Sequence, residues 1–160
     1  GYGWLPLVEA QGKIAISGRS NGGVLVGAAM EQRPDLYGAV ISGSPLKDMK
    51  RYNKLLAGAS WQAEYGNPDV PEDWAFISKY SPYQNVFKDR KYPTVLFTTS
   101  TRDDRVHPGH ARKMFARMKE QGHDVHYFEY TEGGHGAGSL PEQQAYTWAL
   151  TYTFLWQQLR

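Results

Sequence analysis

Serine, aspartate and histidine occur in this chain in an order and in settings that suit acyl transfer. Ser20 lies in Gly18-Arg19-Ser20-Asn21-Gly22, a G-x-S-x-G pattern. A serine hydroxyl is a weak nucleophile, so it needs an imidazole to take its proton and a carboxylate to orient that imidazole. Asp103 and Asp104 follow in TTSTRDDRVHP, and His135 follows them in the glycine-rich TEGGHGAGS. At this level either aspartate could hold the ring. The backbone N–H of Asn21 is placed to face a developing oxyanion. Each group also has a plainer reading: an idle serine in a glycine turn, a turn or helix-cap carboxylate, an exposed loop histidine. Their joint occurrence favours catalysis.

These groups need a scaffold that brings them together. Lys13 to Ser17 (KIAIS) predicts a short buried strand ending in the glycine-rich turn that carries Ser20. Val24, Leu25, Ala28, Ala29 and Met30 then recur at helical spacing as far as Arg33-Pro34, where the proline disfavours helix in the residue before it. Tyr37 to Ser42, Pro93 to Thr99 and His126 to Thr131 predict three more strands. A helix is expected from about Gly109 to Gln121, stopped by Gly122, and a last one from about Glu142 to Leu159. Leu46 to Arg90 shows no clean period and reads as short helices under loops. Strands alternating with helices imply an α/β fold, a mostly parallel sheet of about four strands with helices on both faces. The strand that precedes Ser20 and the helix that follows it are the context that G-x-S-x-G requires, and Asp103 and His135 then fall just beyond strand ends, where sites of open parallel sheets gather.

Composition narrows the function. At 160 residues the chain has the size of one domain. A formal net charge of +2 gives no field for nucleic acid, and none is expected as a partner. The chain has no Cys, which removes disulfides, thiolate metal sites and cysteine nucleophiles. No apolar run approaches the roughly 20 residues that span a bilayer, and no export signal is visible. The chain reads as soluble and without a membrane partner, with the cytoplasm favoured and the periplasm left open. H-x-x-H spacing occurs at His107 and His110 and at His123 and His126, but neither pair shares a ligand face, so no metal and no cofactor is expected.

GRSNGG and QRPDLYGAV, then WQAEYG, SPYQNV, DDRVHPGH and GGHGAG, together resemble the catalytic domain of the prolyl oligopeptidase family of serine peptidases, densely from about Lys13 to Gly138. The resemblance implies an α/β-hydrolase fold in which Ser20 is nucleophile, Asp103 rather than Asp104 the orienting carboxylate, and His135 the base. It implies that Trp61 stacks on a proline ring, with Tyr65, Leu46 and Val106 in pocket positions and Arg105 binding a substrate carbonyl. Leu46 departs from the Val often found there, and one methylene can shift preference by roughly 1 to 3 kcal/mol.

A full domain of this fold carries about eight strands, so the chain reads as a single, truncated catalytic domain, 1–160, that begins just before the nucleophile strand, with 1–12 unplaced. Missing with the first half would be a second oxyanion donor. The KIAIS edge is expected to be unpaired, suiting a fragment that associates with its missing half or a homo-oligomer. The leading expectation is a serine hydrolase cleaving short peptides after proline through an acyl-enzyme. A carboxylesterase acting on small esters with the same triad, and a catalytically silent fragment or interaction module, stand as alternatives.

Overall fold

The computed structural model describes residues 12–136 and 140–160. Segment 1–11, most of the unplaced N-terminus, and Gly138 of the histidine loop lie outside the described residues. Four strands, β1 (Ile14–Arg19), β2 (Tyr37–Gly43), β3 (Thr94–Ser100) and β4 (Val125–Tyr130), form one sheet in the order β1-β2-β3-β4. Every pairing is parallel; Arg19 stands opposite Gly43, Gly43 opposite Thr98, and Ser100 opposite Tyr130. All four strands therefore end on the same side of the sheet, and among the described residues β1 and β4 are its edges.

The central strands β2 and β3 are apolar on both faces because both faces are covered. Alternation divides their side chains cleanly. Val40, Val95 and Phe97 point to one side, where they meet Val26 and Met30 of helix α1 (Gly22–Gln32) and Met114 and Met118 of a later helix (Gly109–Glu120). Ala39, Ile41 and Leu96 point to the other side, against Phe154, Leu150 and Leu155 of the last helix (Pro141–Leu159). Each large apolar side chain buried this way contributes about 1.5–3 kcal/mol.

The segment between β2 and β3 forms two 3-10 turns, Tyr52–Lys54 and Leu56–Trp61, and the short helices α2 (Gln62–Tyr65), α3 (Pro71–Ile77) and α4 (Pro82–Asn85). Proline starts α3 and α4, where its missing N–H costs nothing. The helices at Gly109–Glu120 and Pro141–Leu159 are α5 and α6. Gly122, with φ of +87°, ends the chain's run from α5. Among the described residues no helix is long and apolar enough to cross a membrane.

Candidate active site

The turn from β1 into α1 holds Ser20 in a left-handed conformation, φ +57°, which a residue with a Cβ adopts at a cost of about 1–3 kcal/mol. Three backbone hydrogen bonds impose it: Ser20 N–H donates to Gly43 O at 3.0 Å, while Ser20 O accepts from the N–H groups of Gly23 and Leu46, each at 3.0 Å. The side chain is thereby lifted off the end of the strand. Among the described residues, neither the Ser20 hydroxyl nor the Asn21 N–H is engaged in a hydrogen bond.

Glycines allow this turn, though not symmetrically. A Cβ on Gly18 would lie 2.3 Å from Gly22 O and 2.7 Å from Val26 Cγ1, so strand and helix meet there. Gly22, the second glycine of the motif, faces open space in this chain. The closely packed position is Gly23, whose Cβ would lie 2.4 Å from Pro45 Cβ. Close packing around the motif thus falls on Gly18 and Gly23 rather than on Gly22.

Asp103 lies in the loop after β3 with its side chain fully buried. Its Oδ1 accepts from the N–H groups of Arg105 (2.9 Å) and Val106 (2.8 Å). His135 Nδ1 lies 2.8 Å from Oδ2 and 3.1 Å from Oδ1. Since a carboxylate only accepts, Nδ1 carries a hydrogen, and in the neutral ring Nε2 is then the acceptor. The turn-carboxylate reading of Asp103 and the ring-holding reading are thus both true of the same group. Asp104 holds the loop instead: its Oδ1 accepts the His135 backbone N–H at 3.4 Å. Ser100 Oγ donates to Gly133 O at 2.6 Å, tying the same loop to the end of β3. Arg19 donates through Nη2 to the carbonyl of His135, a contact nothing in the spacing foretells.

The expected pocket residues also come together. Leu46, Trp61 and Val106 are buried in one apolar cluster with Val24 of α1, and Tyr65 packs against it. The Arg105 guanidinium lies over the Trp61 ring, 5.6 Å from its centroid. A groove of about 590 Å3 runs from Asn21 and Val24 to Tyr65 and Tyr80.

Two of the remaining histidines, His107 and His110, have separate occupations. His107 Nδ1 accepts from Gly109 N–H at 2.9 Å; His110 Nδ1 accepts from the N–H groups of Lys47 (3.3 Å) and Asp48 (3.1 Å). Burial pushes the His110 ring down to about 4, so it is neutral at physiological pH. Among the described residues no three His, Cys, Asp or Glu side chains gather as a metal site would require. Below the turn, Lys47 is buried and donates through Nζ to Gly23 O at 2.8 Å. Glu31, on the same helix, is buried with no hydrogen-bond partner for either carboxyl oxygen among the described residues, and burial raises it to about 9 despite the pull of Lys47. Lys47, in turn, is lowered by burial to about 8.

Residues 8–160 match the model of the prolyl oligopeptidase family. The chain belongs to that family. It is 49% identical over 146 residues, 91% of its length, to an uncharacterized peptidase, y4nA, of Sinorhizobium fredii, and 43% identical over 134 residues to a prolyl endopeptidase of Elizabethkingia miricola. A post-proline cleaving enzyme from Rickettsia typhi superposes with a TM-score of 0.88 at 42% identity, over 93% of this chain. The chain spans only about a fifth of these relatives, 20% and 19% of the two sequences and 22% of the Rickettsia structure. The four-stranded parallel sheet of this member of the prolyl oligopeptidase family is thus part of an α/β-hydrolase catalytic fold, and the resemblance carried by GRSNGG, DDRV and GGHGAG is borne out.

Proposed function

We propose that this chain carries the catalytic triad of a serine peptidase that cleaves on the carboxyl side of proline in short peptides. The observation that carries the reading is the pairing of His135 Nδ1 with the buried Asp103 carboxylate at 2.8 Å, on the rim of the sheet where Ser20 is held at the strained end of β1.

The chemistry follows from that arrangement. Ser20 Oγ attacks the carbonyl carbon of the scissile bond while His135 Nε2 takes the hydroxyl proton. Asp103 keeps Nδ1 protonated and stabilises the imidazolium. The Asn21 N–H, at the positive end of α1, donates to the oxyanion. Collapse of the tetrahedral species breaks the C–N bond as His135 returns the proton to the leaving amine, leaving an ester on Ser20. Water, deprotonated by the same imidazole, then releases the peptide acid.

Specificity rests on Trp61, a flat ring suited to the flat apolar face of proline, with Leu46, Tyr65 and Val106 closing the pocket and Arg105 available to a substrate carbonyl. The relatives named prolyl endopeptidase and post-proline cleaving enzyme support this substrate class.

The test is turnover by the full-length protein of a prolyl amide, an alanyl amide and a p-nitrophenyl ester. Preferential cleavage of the prolyl amide, lost in Ser20→Ala, is expected. Cleavage of the ester alone would replace the reading with a carboxylesterase.

A further inference from the structure

We propose that Arg19, the residue before the nucleophile, is a positioning residue that ties the main chain of His135 to the strand that leads into Ser20, from across the sheet. The inference rests on the triad reading above.

Three of the contacts that shape the His135 loop come from one side. Ser100 grips Gly133, Asp104 takes the His135 N–H, and Asp103 takes the ring, and all three belong to β3 or the loop after it. These contacts fix the loop relative to β3. They do not fix it relative to Ser20, which sits at the end of β1, with the whole width of β2 between. The Arg19 guanidinium, donating to the His135 carbonyl, is a direct link between the nucleophile's own strand and the residue that bears the base.

The sheet is built to let that side chain through. Arg19 stands opposite Gly43 in the register of β1 and β2, and Gly43 stands opposite Thr98 of β3. A Cβ placed on Gly43 would lie 3.6 Å from Arg19 Cγ and 3.4 Å from Thr98 Oγ1. The stem of Arg19 therefore runs alongside Gly43 of β2, where a methyl would make only ordinary contacts but a branched side chain would compete with it for space. Arginine fits this task because its fork is always charged and rigid, and a charge-assisted bond to a carbonyl is stronger than a neutral one.

A base held at only one end of the sheet can drift from the nucleophile without leaving its aspartate, and displacement of about 1 Å can cost on the order of a hundredfold in rate. The contact should thus matter to the chemical step more than to substrate binding.

The test uses the full-length protein with Arg19→Ala, Arg19→Lys, Gly43→Val and the double variant Arg19→Ala/Gly43→Val. Arg19→Ala should lower kcat for a prolyl amide by roughly tenfold to a hundredfold with KM within about twofold, slow fluorophosphonate labelling of Ser20 in parallel, and leave the melting temperature unchanged. Arg19→Lys should recover much of kcat. Gly43→Val should reproduce the loss and add nothing to Arg19→Ala, since both break one contact. Three results would overturn the inference: kcat of Arg19→Ala within about twofold of the wild type, independent losses that multiply in the double variant, or activity that merely follows stability with no recovery by lysine. Failure of the wild-type protein to label at Ser20 would instead sink the triad reading beneath it.

Discussion

Asp103 binds His135 with one side of its carboxylate and its own loop with the other: Oδ2 lies 2.8 Å from His135 Nδ1, while Oδ1 accepts the N–H groups of Arg105 and Val106. The same group shapes the turn and sets the tautomer. Asp103→Asn separates the two tasks. Asn Oδ1 can keep both backbone bonds, but its amide then presents N–H to Nδ1 and favours the tautomer with the proton on Nε2. We expect kcat to fall on the order of 10^4-fold with little change in denaturation midpoint. Activity within tenfold of the wild type would show that His135 is oriented otherwise.

Gly22 and Gly23 offer a comparison between adjacent positions. Alanine at 23 would drive a methyl to 2.4 Å from Pro45 Cβ and displace the first turn of α1 from the loop whose Leu46 N–H holds Ser20 O. The expected cost is about 1–3 kcal/mol, with loss of activity. Alanine at 22 meets open space and should cost less. Urea denaturation of the two variants reads the difference, and equal costs would contradict the packing described here.

Glu31 makes stability depend on pH in an unusual direction. Its folded carboxyl titrates near 9 and its unfolded one near 4.5, so above pH 4.5 the unfolded chain gives up a proton that the folded chain keeps. Stability contributed by the neutral carboxyl is then lost as pH rises, by about 1.4 kcal/mol per unit, until the folded group also ionises. Glu31→Gln removes this dependence. Between pH 5 and 7.5, where Lys47 is charged in the folded wild type, the variant's stability relative to wild type should climb steadily. A constant or shrinking difference in urea midpoint would mean that Glu31 ionises in the folded protein.

Leu46 and Trp61 share one buried cluster, so the pocket can be tuned from its wall. Leu46→Val removes a methylene and should change the ratio of prolyl to alanyl amide cleavage by roughly tenfold, at a stability cost of about 1 kcal/mol. Trp61→Ala should reduce prolyl cleavage far more and also remove the face on which Arg105 lies. Unchanged substrate ratios in both would place the proline pocket elsewhere.

Much of this site is legible in the sequence because its parts sit where strands end. Ser20, Asp103 and His135 each follow an apolar β-prone run directly, and parallel pairing of those runs places the three loops on one rim. The parts that spacing does not carry are the ones made by side chains crossing between elements. Arg19 looks like a solvent-facing filler of the motif, and only the register that sets it against Gly43 shows its path to His135. Lys47, in SPLKDMK, reads as a polar loop residue, yet it is buried against α1 with its ammonium on Gly23 O. Glu31 reads as the polar end of an amphipathic helix, but the helix is covered on that side too. The division of labour between Gly22 and Gly23 depends on where Pro45 passes, which no local pattern records.

Intact-mass and peptide mass spectrometry of the full-length protein after fluorophosphonate treatment addresses whether Ser20 is an activated nucleophile. One adduct is expected, on the peptide containing Ser20, absent in Ser20→Ala and strongly slowed in His135→Gln. A folded protein that takes no adduct, or takes it on another serine, would contradict the triad.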